Sequence, residues 1–438
     1  MSTGLRFAEQ ALAASAENAP AHISALRKAG AEAFKTLGFP DRHNEDWHYT
    51  NVADIASAQY SVAVDSEHIH SVDAASLEPY LFDSSWPLVV FVNGRLDAEL
   101  STLEALPEGV RVMSLAEAAS SEPELLAKHL GVAAPATRDC FTALNSAFSG
   151  EGTLIHIARE MVTDIPVHIL HVMDEGAANL MSNPRHLLVA EQQARGLVVE
   201  SYISLAQVPY FTNSVVEAYL EDGATIQLIR VQRESEKAHH VSTVEARQER
   251  DSHFIAFTFQ TGGSLSRSNV WTKLDGAGCG CTLNGLFMLD GEQHGDHQTR
   301  VEHVAPNCFS REVYKSLLDG RSHGVFNGKV WVWPEAQQTD GKQTNNTLLL
   351  SDHAQIDTKP QLEIYADDVK CTHGATVGRI DDTALFYLKS RGVSAEHARR
   401  LLMYAFAADV LEMIEVPAVV EELEKLTLHR FTGAVQTA

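Results

Sequence analysis

Between residues 155 and 365 the chain is interrupted again and again by a turn-forming pair that ends in glycine. Asp222-Gly223, Gly262-Gly263, Asp275-Gly276, Asp290-Gly291, Asp319-Gly320, Asn327-Gly328 and Asp340-Gly341 punctuate the stretch, several of them 13 to 15 residues apart. No helical period runs between them, so the segments they bound are expected to be short strands. Within one such segment Ile255, Phe257 and Phe259 share one face while Ala256, Thr258 and Gln260 share the other, because side chains alternate along a strand. A sandwich, a barrel and a β-helix all satisfy this pattern. The strand-rich region exceeds 200 residues, and stacked coils grow without limit whereas a sandwich core does not, which favours a solenoid.

Both flanks read as helical. From Pro20, the residues Ile23, Leu26, Ala33, Phe34 and Leu37 follow a 3.6-residue period until Gly38 and Pro40 stop it. Beyond Gly378, Asp381 can cap a short helix through Leu385 and Leu388 that Gly392 ends. Ser394 can cap a second with Ala398, Leu401, Leu402 and Ala405 on one face, and Pro417 opens a third with Val419, Leu423 and Leu426 inward. The expected organisation is a helical region over 1–80, a mixed α/β lead-in over 81–155 with a strand at Leu88 to Val92, a strand-rich core over 156–378, and a helical domain over 379–438.

Composition narrows the function. Thirty-four basic against 58 acidic residues leave a formal charge of −24, a surface that repels phosphate and makes nucleic acid a poor partner. The first twenty residues lack a basic stretch followed by an apolar one, and no apolar run approaches bilayer length, so a cytoplasmic protein without a membrane anchor is expected. Five scattered cysteines, Cys140, Cys279, Cys281, Cys308 and Cys371, fit reduced thiols better than a disulfide framework.

The segment VKCTHGATVG, residues 369–378, carries the most pointed chemistry. On a strand, Cys371 and His373 share a face and can aim sulfur and imidazole at one point, both good ligands for iron or zinc. Two ligands do not close a tetrahedral site, so any remaining ones must come from a distant segment or another chain. The alternatives are a packed thiol beside a hydrogen-bonded histidine, or a thiolate with its base. His294, His297 and His303 resemble a ligand cluster, but on one strand His294 faces away from the other two, so solvated or partner-facing polar groups are expected there. Cys279 and Cys281 alternate with Leu283 and read as buried packing. Neither G-x-x-x-x-G-K-[ST] nor a strand-coupled G-x-G-x-x-G occurs, so no nucleotide is expected to bind directly.

The runs YKSLLDGRSHGVFNGKV (314–330) and AQQTDGKQTNNTLLLSDHAQIDTKPQLEIYADDVKCTHGATVGRIDDTALFYLKSRGVS (336–394) resemble the core of the SufB/SufD family of iron-sulfur cluster assembly proteins. EDWHYTN (45–51), FTALNSAF (141–148) and TNSVVEAYLEDGA (212–224) extend the resemblance almost end to end. SufB-like chains carry a longer N-terminal portion with additional cysteines and a different sequence around KCTHGAT, so the likeness is to the SufD side of the family. The resemblance implies a mainly β fold, a right-handed parallel β-helix between helical domains. It implies a non-catalytic subunit that pairs with SufB through the β-helix and docks the ATPase SufC through its C-terminal helices, with a homodimer as the pairing open to it in isolation. A transient iron-sulfur cluster or iron would be held at His373 and Cys371, shared with SufB. Leu385, Phe386, Tyr387 and Leu388, with Arg391 and Gly392 after them, would contact SufC. Two other readings stay open at this point: a self-sufficient SufB-like scaffold, and a β-helix carbohydrate-active enzyme.

Overall fold

The computed structural model describes residues 7, 9, 10, 13, 19–62 and 71–430; most of the N-terminal stretch read for a leader lies outside them. Seventeen strands wind the central body. In chain order they are β1 (Leu88–Val92), β2 (Thr153–Ile157), β3 (Val167–Met173), β4 (Arg185–Ala190), β5 (Arg195–Ser204), β6 (Phe211–Leu220), β7 (Thr225–Arg233), β8 (His239–Gln248) and β9 (His253–Gln260). They continue with β10 (Leu265–Leu274), β11 (Gly280–Leu289), β12 (His294–His303), β13 (Phe309–Leu318), β14 (His323–Val332), β15 (Thr339–Leu349), β16 (Gln355–Ile364) and β17 (Val369–Gly378). Even-numbered strands form one parallel sheet and odd-numbered strands a second, so the chain alternates between sheets at every turn: a parallel β-solenoid. Antiparallel strands, Val110–Ser114 on β2 and Arg95–Thr102 on β1, close its N-terminal end.

Residues aligned across neighbouring coils, such as Thr225, His253, Gly280, Phe309 and then Asp340 with Lys370, recur every 27 to 31 residues. The glycine pairs therefore mark half-coils. Five of the seven lie between strands, and Gly223, Gly291 and Gly320 have φ near +70°, +60° and +60°, where an L side chain is strained. Asn327-Gly328 and Asp340-Gly341 instead lie inside β14 and β15. A Cβ on Gly328 would come within 2.2 Å of the Gln343 amide nitrogen, so that glycine answers to packing across the interior rather than to a turn.

Inward columns carry like residues: Val216, Val244 and Val270 stack on one sheet, and Ile226 and Phe254 face them from the other. On β9 the inward residues are Phe254 and Ala256, while Phe257 and Phe259 point outward. Helices cover that outer apolar face. Asp381 and Ser394 cap α3 (Asp382–Ser390) and α4 (Ala395–Leu411) through Thr383 and His397 N–H groups, and α5 (Pro417–Arg430) follows, after α1 (Ala21–Leu37) and α2 (Cys140–Ala147) at the other end of the chain.

Met403, Ala407, Val410 and Leu411 of α4 and Val419 and Leu423 of α5 pack on Phe257, Phe259, Leu286, Met288 and Leu317. The buried stripe of α4 is thus rotated from the expected one: Ala398 is buried, but Leu401 is 37% exposed and Ala405 lies at the surface. On α1, Ile23 and Phe34 are buried as expected and Leu37 is not.

The motifs that carry the family likeness are clamps. Trp47 of EDWHYTN lies under the Arg267 guanidinium, 3.7 Å from the ring centroid, and Thr50 donates to Asp296 at 2.6 Å while Arg267 pairs with the same carboxylate at 2.7 Å. Asn145 of FTALNSAF donates to the carbonyls of Pro184 and Asn213 and holds α2 against the sheet. Among the described residues, no helix is long and apolar enough to cross a membrane.

Candidate functional site at the open end of the solenoid

β16 and β17 are the last strands of the two sheets, and among the described residues each pairs on one side only. They leave a row of unpaired backbone donors and acceptors, beside which Ile364, Tyr365, Val377 and Trp333 are exposed. Cys371 and His373 stand on β17 with the parity the sequence gives them, both toward the solenoid interior. Cys371 ends the column Cys281, Ser310, Gly341, and His373 ends the column Glu312, Gln343. Because no coil follows, the two differ in cover. Cys371 is half-buried against Val330, Val332, Leu362 and Val369, and His373 is exposed. Burial, with Asp340 nearby, pushes the Cys371 thiol above its ordinary value.

Behind His373, Gln343 donates to Glu312 at 3.3 Å and Thr299 donates to it at 2.5 Å; complete burial raises the Glu312 carboxyl to about 7. Among the described residues, Cys371 and His373 belong to no group of three clustered metal-ligating side chains. The pair is chemically competent and coordinatively incomplete.

The histidines of β12 separate as their parity requires. His294 faces the N-terminal clamp, 2.9 Å from the Thr50 hydroxyl. His297 points inward, bonded to Gln260 at 2.8 Å and stacked on Phe287, and His303 lies 3.0 Å from the Ser310 hydroxyl. Their expected solvent- or partner-facing role fails, because all three are sequestered by the coil or the clamp. Burial lowers each imidazole to about 4. Cys279, Cys281 and Leu283 are fully buried in the core, as expected.

On α3, Phe386 and Tyr387 are 72% and 56% exposed, with Leu385 and Leu388 half-buried beneath them. The Arg391 guanidinium lies over the Tyr387 ring at 5.2 Å, and Gly392 turns the chain at φ +87°.

One cluster was not foreseen. His171 on β3, His186 on β4 and Glu200 on β5 converge inside the first coils, all fully buried. Desolvation lowers both imidazoles and favours their neutral forms, His186 near 4. Arg230 pairs with Glu200 at 2.6 Å and holds its carboxyl down to about 2 against the opposing effect of burial. The signal available in sequence was their spacing, 15 and 14 residues, one half-coil each.

Residues 171–406 match the family model described as the SufBD core domain of SUF system FeS cluster assembly, and residues 5–169 match that of the SufBD protein N-terminal region. An iron-sulfur cluster assembly SufBD family protein of Synechocystis is 32% identical over 89% of this chain and 86% of its own. The iron-sulfur cluster assembly protein SufD of Escherichia coli K12 is also 32% identical, over 86% of each chain. Protein ABCI7, chloroplastic, of Arabidopsis thaliana is 26% identical over 89% of this chain and 82% of its own. With a two-sheet parallel solenoid, helical flanks and both family regions matched across nearly its whole length, the chain belongs to the SufBD family of the SUF iron-sulfur cluster assembly system.

Proposed function

We propose that this chain is a non-catalytic, SufD-type subunit of an iron-sulfur cluster assembly complex, in which SufB adds its own strands to the open end of the solenoid. The observation that carries this reading is the terminal coil itself. Its strand edges are unpaired and rimmed with exposed apolar side chains, and the Cys371 and His373 beside them lack the further ligands a closed site needs. A partner that pairs with this edge supplies the strand hydrogen bonds and the missing thiolate or carboxylate together. His373 and Cys371 then bind iron or the nascent cluster, which is cargo to be passed on. The thiol, held above its ordinary value by burial, gives up its proton when the metal arrives.

SufC docks on α3, where Phe386 and Tyr387 present largely exposed apolar surface, with Leu385, Leu388, Arg391 and Gly392 around them. A cytoplasmic complex, with ATP handled by SufC, accounts for the lack of a phosphate-binding motif in the sequence.

His373→Ala tests the site, since an exposed side chain can be removed without a cavity. The variant should co-purify with SufB and SufC at normal stoichiometry and melting temperature while the complex forms far less cluster, measured as iron and acid-labile sulfide. Cluster formation at the wild-type rate would refute the ligand role; loss of the complex would make the histidine structural. Purified alone, the chain should carry little cluster, which separates this reading from a self-sufficient scaffold.

A further inference from the structure

We propose that His171, His186 and Glu200 form a binding site for one divalent first-row transition-metal ion inside the first coils of the solenoid, apart from the open end where Cys371 and His373 stand. The three ligand atoms are disposed around a common centre. His171 Nε2 and His186 Nε2 are 3.1 Å apart, and Glu200 Oε1 lies 3.9 Å from the first and 3.7 Å from the second. A point equidistant from all three is about 2.1 Å from each, within the range of metal bonds to imidazole nitrogen and carboxylate oxygen.

A proton alone explains less of this geometry. A hydrogen bond between the two imidazoles uses only two of the three atoms. It leaves Glu200 Oε1 too far from either nitrogen for a hydrogen bond, at the separation that two ligands of one ion keep.

The surroundings orient the rings as ligands. Thr153 fixes the His186 ring at Nδ1, its N–H donating there at 3.2 Å and its hydroxyl lying 2.7 Å away, so that Nε2 points to the centre. Among the described residues His171 Nδ1 has no hydrogen-bond partner, and its ring is fixed by stacking between Phe91 and Tyr202, at 4.9 and 4.5 Å with interplanar angles of 16° and 8°. Arg230 grips the other carboxylate oxygen at 2.6 Å and Tyr202 donates to Oε1, so Glu200 cannot swing away. Two nitrogens and one oxygen with an open fourth position suit zinc or ferrous iron.

The test uses the full chain expressed with added Zn2+, washed with EDTA, and measured for metal by mass spectrometry. About one zinc per chain should remain. His171→Phe keeps the stacked column and removes the nitrogen, so retention should fall at least tenfold with an unchanged circular dichroism spectrum and melting temperature. His373→Ala should retain the ion fully, which keeps this result independent of the cluster site.

X-ray absorption on the wild type decides the ligands even should the variant fail to fold. Nitrogen and oxygen near 2.0–2.1 Å with imidazole scattering support the site; a sulfur shell near 2.3 Å would place the ion on a cysteine and overturn it. Zinc retention unchanged in folded His171→Phe, or below about one ion in ten wild-type chains, would also overturn it.

Discussion

Glu312 lies inside the solenoid in the column that ends at His373, and its removal as a charge should make the protein more stable at alkaline pH. The carboxyl is fully buried, bonded only to Thr299 and Gln343, and titrates near 7 instead of 4.5. A folded-state value above the unfolded one means the fold prefers the protonated form. Its contribution is intact below pH 4.5 and is lost as the pH rises through 7. At 1.36 kcal/mol per pH unit the gap is worth about 3 kcal/mol above pH 8.

Thr299 and Gln343 donate to different oxygens of Glu312; Glu312→Gln keeps one oxygen for Thr299, offers its NH2 to the unpaired Oε1 of a flipped Gln343, and cannot ionise. For a chain of 438 residues, an unfolding entropy of about 2.1 cal/mol/K per residue converts 3 kcal/mol to a rise in melting temperature of about 3 °C. Differential scanning fluorimetry should therefore show the variant about 3 °C above wild type at pH 8.5 and within about 1 °C of it at pH 5. Equal shifts at both pH values, or a variant less stable than wild type at pH 8.5, would refute the account of a buried, strained carboxylate.

Replacing Phe386 by Asp and Tyr387 by Ser should abolish capture of SufC in a pull-down while SufB pairing and melting temperature hold. Deleting residues 380–438 is the poorer experiment, because α4 and α5 cover Phe257, Phe259, Leu286 and Leu317 and their loss would expose that face. Phe259→Ala, in the middle of it, should cost about 3 kcal/mol in denaturant melts and speed proteolytic cleavage between α3 and α5. Glu217 pairs with Arg185 at 2.7 Å, both fully buried, and accepts the N–H groups of Gly131, Ala133 and Ala134. Glu217→Ala should cost about 3–5 kcal/mol by stranding the arginine, and a loss below about 1 kcal/mol would show that water reaches it.

The half-coil was written in the chain, because glycine with positive φ at Gly223, Gly291 and Gly320 is a local requirement that local sequence must meet. The helix caps at Asp381 and Ser394 were legible for the same reason, and so was the shared face of Cys371 and His373, which follows from the two-residue period of a strand. Local pattern could not say which face of β9 is inside. Phe257 and Phe259 look like a core face and are one, but the core is the one shared with the C-terminal helices, more than 140 residues away in sequence. Nor could it show that His297 and His303 are buried, since a polar residue can enter the interior only when the opposite coil supplies Gln260 or Ser310 as a partner. His171, His186 and Glu200 come from three successive half-coils on two sheets, and only the winding that stacks those sheets turns their regular spacing into a common centre.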